Sequence, residues 1–92
     1  MTRIFYLPSL VKQLRLLRGK EAESAQEALL RFQRFIQTGE KSEGLGFKKL
    51  VEDKFEIRAG LRKRIMIKKI EHDYYLALYG DHTAMERFLK RH

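Results

Sequence analysis

The sequence predicts an α+β domain: an N-terminal strand and an antiparallel helical hairpin packed on one face of a small antiparallel sheet, then a short C-terminal helix. Three observations carry this. Apolar residues recur at three- and four-residue spacing through the first half of the chain, the period of a helix. From Phe55 onward they alternate with charged ones, the period of a half-buried strand. Near the end Thr83 precedes Glu86 by three residues, a capping-box pattern for a last helix.

Each element follows from its residues. Arg3-Ile4-Phe5-Tyr6 reads as a short strand, ended by Pro8, which lacks a ladder donor and suits a first helical turn. Leu10, Val11, Leu14 and Leu17 then line one face of a helix that Gly19 is expected to stop. A second helix is predicted over 21–37, with Ala22, Ala25, Leu29, Phe32 and Ile36 on one face and Gly39 at its end. So short a link makes the two helices a hairpin. Strands follow over 47–51, 54–58, 62–70 and 74–79, and a helix over 83–91.

In the strands, Phe55 and Ile57 alternate with Glu56 and Arg58, and Ile65 and Ile67 with Arg62, Arg64, Met66 and Lys68. In the last strand, strict alternation sets Tyr74, Leu76 and Leu78 against Tyr75, Ala77 and Tyr79. The hairpin covers one sheet face. The other is expected to stay open, presenting Glu56, Arg58, Arg62, Arg64, Lys68, Tyr75 and Tyr79.

The 92 residues form one domain, 1–92, with 43% hydrophobic and 35% charged side chains and a single Pro, so the chain is neither disordered nor low in complexity. With no Cys, disulfides, thiolate nucleophiles and Cys-based metal sites are excluded. No apolar run is long enough to span a membrane, and the N-terminus does not read as a signal peptide, so a cytoplasmic protein without membrane contact is expected.

The net charge of +8 is unevenly spread: residues 48–69 hold nine basic and three acidic side chains, whereas residues 70–92 hold three and four. A field concentrated in this way attracts polyanions. On a sheet face, cations neutralise phosphates and interleaved tyrosines stack on bases; a plain solvated face has the same alternation.

Chemistry is constrained by what is missing. His72, His82 and His92 show no metal-ligand spacing, so no metal or other cofactor is expected. Gly44-Leu45-Gly46 lacks the remainder of a phosphate-binding loop. Metal-free RNA cleavage remains feasible, because the substrate brings its own 2′-hydroxyl nucleophile. The protein must then supply a base, an acid and cations around the phosphate. Arg58 and Arg64 suit the phosphate, and His82, following the last strand, is a side-chain type that titrates near neutral pH.

In their order and spacing, Leu45-Gly46-Phe47-Lys48-Lys49-Leu50, Phe55-Glu56-Ile57-Arg58, Arg64-Ile65-Met66-Ile67, Leu76-Ala77-Leu78-Tyr79-Gly80-Asp81-His82 and Arg87-Phe88-Leu89-Lys90 resemble the RelE/ParE toxin superfamily. The resemblance spans nearly the whole chain. It implies a RelE-like fold and the toxin of a bacterial type II toxin–antitoxin pair, a metal-independent endonuclease that cuts mRNA on the ribosome. Its implied partners are a cognate antitoxin, the ribosome and mRNA.

Carried over by position, the resemblance implies catalytic roles for Arg58, Arg64 and His82. It puts Lys48 and Lys49 in a strand where some members carry a catalytic acid or base and others only ribosomal-RNA contacts; from the charge and alternation of the chain itself, Lys48, Lys49, Arg62, Lys63, Lys68 and Lys69 are expected to contact RNA, with Tyr75 and Tyr79 as stacking residues. Phe88 stands where several members carry a base-stacking Tyr, and Glu56 where well-known active members carry Lys. A ParE-like inhibitor of DNA gyrase and a non-toxic RNA-binding module on the same scaffold are the alternatives.

Overall fold

β1 (Ile4–Tyr6) opens the chain in the computed structural model, which describes residues 1–91. Leu7 is extended, and Pro8 starts α1 (Pro8–Arg15), where its missing N–H costs nothing because first-turn donors have no helical partner. α2 (Gly19–Thr38) runs until Gly39, whose φ of 79° is the left-handed cap that glycine takes without penalty; its N–H donates to the Phe35 carbonyl at 2.7 Å. Gly19 was expected to stop the first helix. Instead α1 ends at Arg15, where the Leu16 and Leu17 N–H groups bond back to Gln13 and Leu14, and Gly19 opens α2.

β2 (Lys48–Val51), β3 (Lys54–Arg58), β4 (Arg64–Ile70) and β5 (Asp73–Gly80) form an antiparallel meander, and α3 (His82–Arg91) closes the chain. The sheet order is β1-β5-β4-β3-β2. β1 pairs with β5 in parallel, so the sheet is mixed rather than wholly antiparallel. The two helices between β1 and the meander permit this, because a parallel partner needs a crossover connection.

Beyond β1 the edge of β5 is finished by α1. The Leu7 N–H donates to the Leu76 carbonyl (3.0 Å), Ser9 Oγ to the Ala77 carbonyl (2.8 Å) and Gln13 Nε2 to the Tyr79 carbonyl (2.7 Å), while Gln13 Oε1 accepts the Tyr79 N–H (2.9 Å). Side chains on one helix thus occupy backbone groups that a sixth strand would otherwise have to satisfy.

The hairpin packs on the face made by Phe55, Ile57, Ile65, Ile67, Leu76 and Tyr79, burying Leu10, Ala25, Ala28 and Phe32 against it. Ring contacts continue this core to the sheet edge: Phe47 stacks on Phe55 at 5.0 Å, and Phe32 meets Tyr74 edge-on at 5.4 Å.

Two further expectations are corrected by the sheet's faces. A bulge at Ala77 leaves that residue without a partner on β4, since Met66 pairs with Leu78 and Ile67 with Leu76. One inserted residue exchanges the faces beyond it. Tyr79 therefore points toward the hairpin and is only 6% exposed, while Leu78 joins Met66 on the opposite face. Nor is that opposite face fully open. α3 lies against β4 and β5, burying Met66 and Met85. It starts close to the sheet because Gly80 has no side chain: a Cβ there would stand 2.6 Å from the Ala84 Cβ.

Candidate nucleic-acid interface

On the sheet face away from the hairpin, register places charged side chains on adjacent strands. Lys48 of β2 faces Glu56 of β3, Arg58 of β3 faces Arg64 of β4, and Arg64 in turn faces Gly80 at the end of β5. α3 covers only part of this face. Beside it lies a cleft of about 450 Å³ lined by Lys48, Glu56, Leu61, Arg62, Arg64, Asp81, His82 and Thr83.

Arg64 is held at the cleft by two acceptors. Its Nε lies 3.3 Å from Glu56 Oε2, and its Nη1 donates to the Lys63 carbonyl at 2.9 Å. Both Glu56 and Arg64 are mostly shielded, with side-chain exposures of 13% and 26%. His82, in contrast, is 84% exposed in its side chain, and its Nε2 lies 2.6 Å from Glu86 Oε1, one helical turn on. Arg58 is exposed and lies beside Arg64 across the strands, but it is not among the lining residues of the cleft.

The helix that carries His82 is capped by Asp81 rather than by the expected Thr83–Glu86 pair. Asp81 Oδ1 accepts the Ala84 N–H at 2.9 Å, which fits the preference for Asp before a first helical turn. That hydrogen bond holds the Asp81 carboxyl below its ordinary range. Glu86 is instead turned to His82.

The structure divides the remaining predicted contacts between the two faces. Lys48, Lys68 and Tyr75 share the face of Arg64, and Arg62 enters the cleft from the β3–β4 turn. Lys49 pairs across from core-facing Phe55 and so lies on the hairpin side. Lys63 and Lys69 also turn there, their ammonium groups 5.9 Å and 5.5 Å from the ring centres of Tyr79 and Tyr74. Burial, with Glu21 adding to it, pushes the Tyr79 hydroxyl pKa up. Its buried ring offers no stacking surface.

Sequence reasoning missed three features. Leu61, 92% exposed, projects from the β3–β4 turn at the mouth of the cleft. Phe5 stacks on Tyr75, with ring centres 4.9 Å apart and planes within 15°; the short strand holding Phe5 gave no pairing signal. Lys54 is buried, its Nζ 3.2 Å from Asp53 Oδ1, and adds nothing to the cationic surface. The Lys54 contact in turn lowers the Asp53 pKa. His92 lies outside the described residues. Among those described, no three His, Asp or Glu gather where a metal ion would be held, and no helix is long and apolar enough to cross a membrane.

With this geometry, comparison with known structures is decisive for the fold. The chain superimposes on RelE in the RelB–RelE antitoxin–toxin complex from Methanococcus jannaschii with a TM-score of 0.66 at 15% identity, covering 91% of this chain and 96% of that one. This is a RelE-like toxin fold. YafQ from E. coli strain BL21(DE3) is similar too, with a TM-score of 0.62 at 10% identity over 89% of this chain and 94% of that one. No family model and no curated protein sequence matches the chain. The RelE-like likeness is thus one of three-dimensional architecture, and the cleft is where this chain's own residues must be read.

Proposed function

We propose that this protein is the toxin of a type II toxin–antitoxin pair and cuts mRNA on the ribosome by a metal-independent route. The cleft that gathers Lys48, Arg62, Arg64 and His82 beside the sheet carries the proposal. The RelE-like fold supports it, as does the description of the Methanococcus jannaschii protein as half of an antitoxin–toxin complex. A cognate antitoxin is accordingly the expected protein partner, with ribosome and mRNA as the targets.

Chemically, the 2′-oxygen of one nucleotide attacks the adjoining phosphorus while the 5′-oxygen of the next departs. Arg64 is positioned to meet the phosphate, whose developing charge a planar guanidinium offsets with two parallel hydrogen bonds. Arg58, beside it across the strand, is the second cation. His82 in its protonated form delivers a proton to the leaving oxygen, with Glu86 holding the imidazole at the rim. Lys48, Arg62 and Lys68 extend the positive surface toward ribosomal RNA, and Tyr75, stacked on Phe5, is the aromatic platform of that face.

The test is a reconstituted translation reaction with mRNA 5′ ends mapped by primer extension, run beside Arg64→Ala. New ends at fixed codon positions, present only with ribosomes and lost in the folded variant, are expected. Intact mRNA with unimpeded translation overturns the proposal, and a DNA supercoiling assay with gyrase then becomes the next measurement.

A further inference from the structure

We infer that the hairpin side of the sheet holds a second binding site, a pocket for a small phosphate monoester of mononucleotide size. The pocket encloses about 420 Å³. That is within the ~300–1,000 Å³ of small-molecule sites, and far more than a lone anion needs. Three elements build it. The first turns of α2 form one wall, the β3–β4 turn forms the other, and Tyr79 of β5 lies between them. Ser24 and Lys63 converge on Gly60: a Cβ there would stand 3.7 Å from the Cβ of each, so glycine keeps that part of the wall free of a side chain. Leu61 and Arg62 line both the pocket and the RNA cleft, which makes the β3–β4 turn the partition between the two.

Tyr79 calls for a partner. The residue is only 6% exposed, and among the described residues its Oη is buried with no hydrogen-bond partner. The hydroxyl sits toward the pocket: burial raises its pKa, and the carboxylate of Glu21, on the α2 wall, adds to that rise. An unsatisfied buried hydroxyl is a net cost to folding, and Phe would fill the same space without it. An acceptor on a ligand removes that cost, because the protonated phenol is a donor.

Donors predominate around that hydroxyl. Lys20, Arg62 and Lys63 stand at the pocket against the single carboxylate of Glu21, and Ser24 adds a second hydroxyl. α2 begins without a side-chain cap. Its first backbone bond runs from the Ala22 N–H to the Arg18 carbonyl, which leaves the Lys20 and Glu21 amides before it for an anion. A phosphate monoester carries about −1.5 to −2 charges at neutral pH and three acceptor oxygens, and so matches three cations opposed by one carboxylate. A single carboxylate brings less charge and fewer oxygens. Ala59 and Leu61, on the opposite wall, offer apolar surface to the organic body.

The experiment titrates the protein with AMP, adenosine and inorganic phosphate, following backbone amide shifts by NMR. Tyr79→Phe, Ser24→Leu and Arg64→Ala are run beside wild type. AMP is expected to shift the amides of residues 20–24 and 59–63. It should bind about tenfold or more tightly than adenosine, which lacks the charge, and than inorganic phosphate, which lacks the body. Tyr79→Phe is expected to melt at or above the wild-type temperature, yet to bind AMP about tenfold more weakly through loss of a hydrogen bond to a charged group. Ser24→Leu fills the pocket from the α2 wall and should abolish binding; it carries the test if Tyr79→Phe does not fold. Arg64→Ala should keep the wild-type affinity, since Arg64 lines the cleft and not the pocket. The site is overturned if AMP at millimolar concentration shifts none of these amides, or if adenosine or inorganic phosphate binds as tightly as AMP. It is overturned equally if folded Tyr79→Phe or Ser24→Leu binds AMP as wild type does, or if Arg64→Ala loses the affinity, which would put AMP in the cleft. None of these outcomes depends on whether the protein cuts mRNA on the ribosome, so the two readings fail separately.

Discussion

Gln13 holds the backbone of Tyr79 at both of its polar groups, donating from Nε2 to the carbonyl at 2.7 Å and accepting the N–H at Oε1 at 2.9 Å. One side-chain amide on α1 thereby acts as a short strand partner for β5, just before the chain turns into the helix bearing His82. Gln13→Ala is expected to strand both Tyr79 groups beneath α1. The cost is about 1–3 kcal/mol, read as a fall in Tm of roughly 4–8 °C per kcal/mol for a domain of this size. A Tm within 1–2 °C (roughly) of wild type would mean that water replaces the amide at no cost.

Gly80 sets how closely α3 approaches the sheet. A methyl group there meets the Ala84 Cβ at 2.6 Å, so Gly80→Ala must push the first turn of α3 outward. Overpacking of this kind costs about 1–3 kcal/mol. Because Gly80 faces Arg64 directly, the same shift moves His82 away from Arg64 and lowers cleavage. Removing the opposing methyl in Gly80→Ala/Ala84→Gly should restore the approach and recover activity, although glycine in the helix costs about 1 kcal/mol. Activity that stays low in a folded double variant would show that Gly80 acts otherwise than through Ala84.

Much of this fold was legible because local periods and caps agree with burial. The alternation of Phe55 and Ile57 with Glu56 and Arg58 gave β3, and Gly39 marked the end of α2. What failed was the face of Tyr79. From Tyr74 to Tyr79 every residue is apolar or aromatic, so no polar side chain marks the bulge at Ala77, and strict alternation put Tyr79 on the wrong side. Lys63 and Lys69, expected to contact RNA, fall by the same alternation on the side of Ile65 and Ile67, where their stems reach over the Tyr79 and Tyr74 rings. The joining of Arg64 to Glu56 depends on neighbouring strands, which single-strand alternation cannot register.

Asp81 makes the start of α3 sensitive to acid. The Ala84 N–H bonded to its carboxylate lowers the folded-state pKa below the ordinary 3.8. The sign follows from linkage: the ionised cap stabilises the fold fully above pH 3.8, and this contribution is lost as pH falls below that value through the folded pKa. Asp81→Ala should therefore melt below wild type at neutral pH, with the gap closing in strong acid. Asp81→Asn keeps the acceptor without the charge and should melt with no such convergence on Asp81→Ala. A gap that is the same at pH 7 and in strong acid would show that Asp81 stabilises α3 by something other than its ionised cap.

The two faces of the sheet should differ in how they bind a polyanion. Lys48 and Arg62 line the cleft and Lys68 shares its face, whereas Lys63 and Lys69 lie over tyrosine rings on the hairpin side. Each phosphate neutralised on a single strand releases counterions and contributes about 0.7 to the slope of log affinity against log salt. Single-stranded RNA binding measured by fluorescence anisotropy between about 50 and 200 mM salt resolves that increment. Alanine at Lys48 or Arg62 should weaken binding and flatten the slope by about 0.7 each. Alanine at Lys63 or Lys69 should leave the slope unchanged, because a charge facing away from the strand releases none of its counterions. Equal flattening by all four variants would mean that RNA wraps both faces, and that the cleft beside Arg64 is not the principal track.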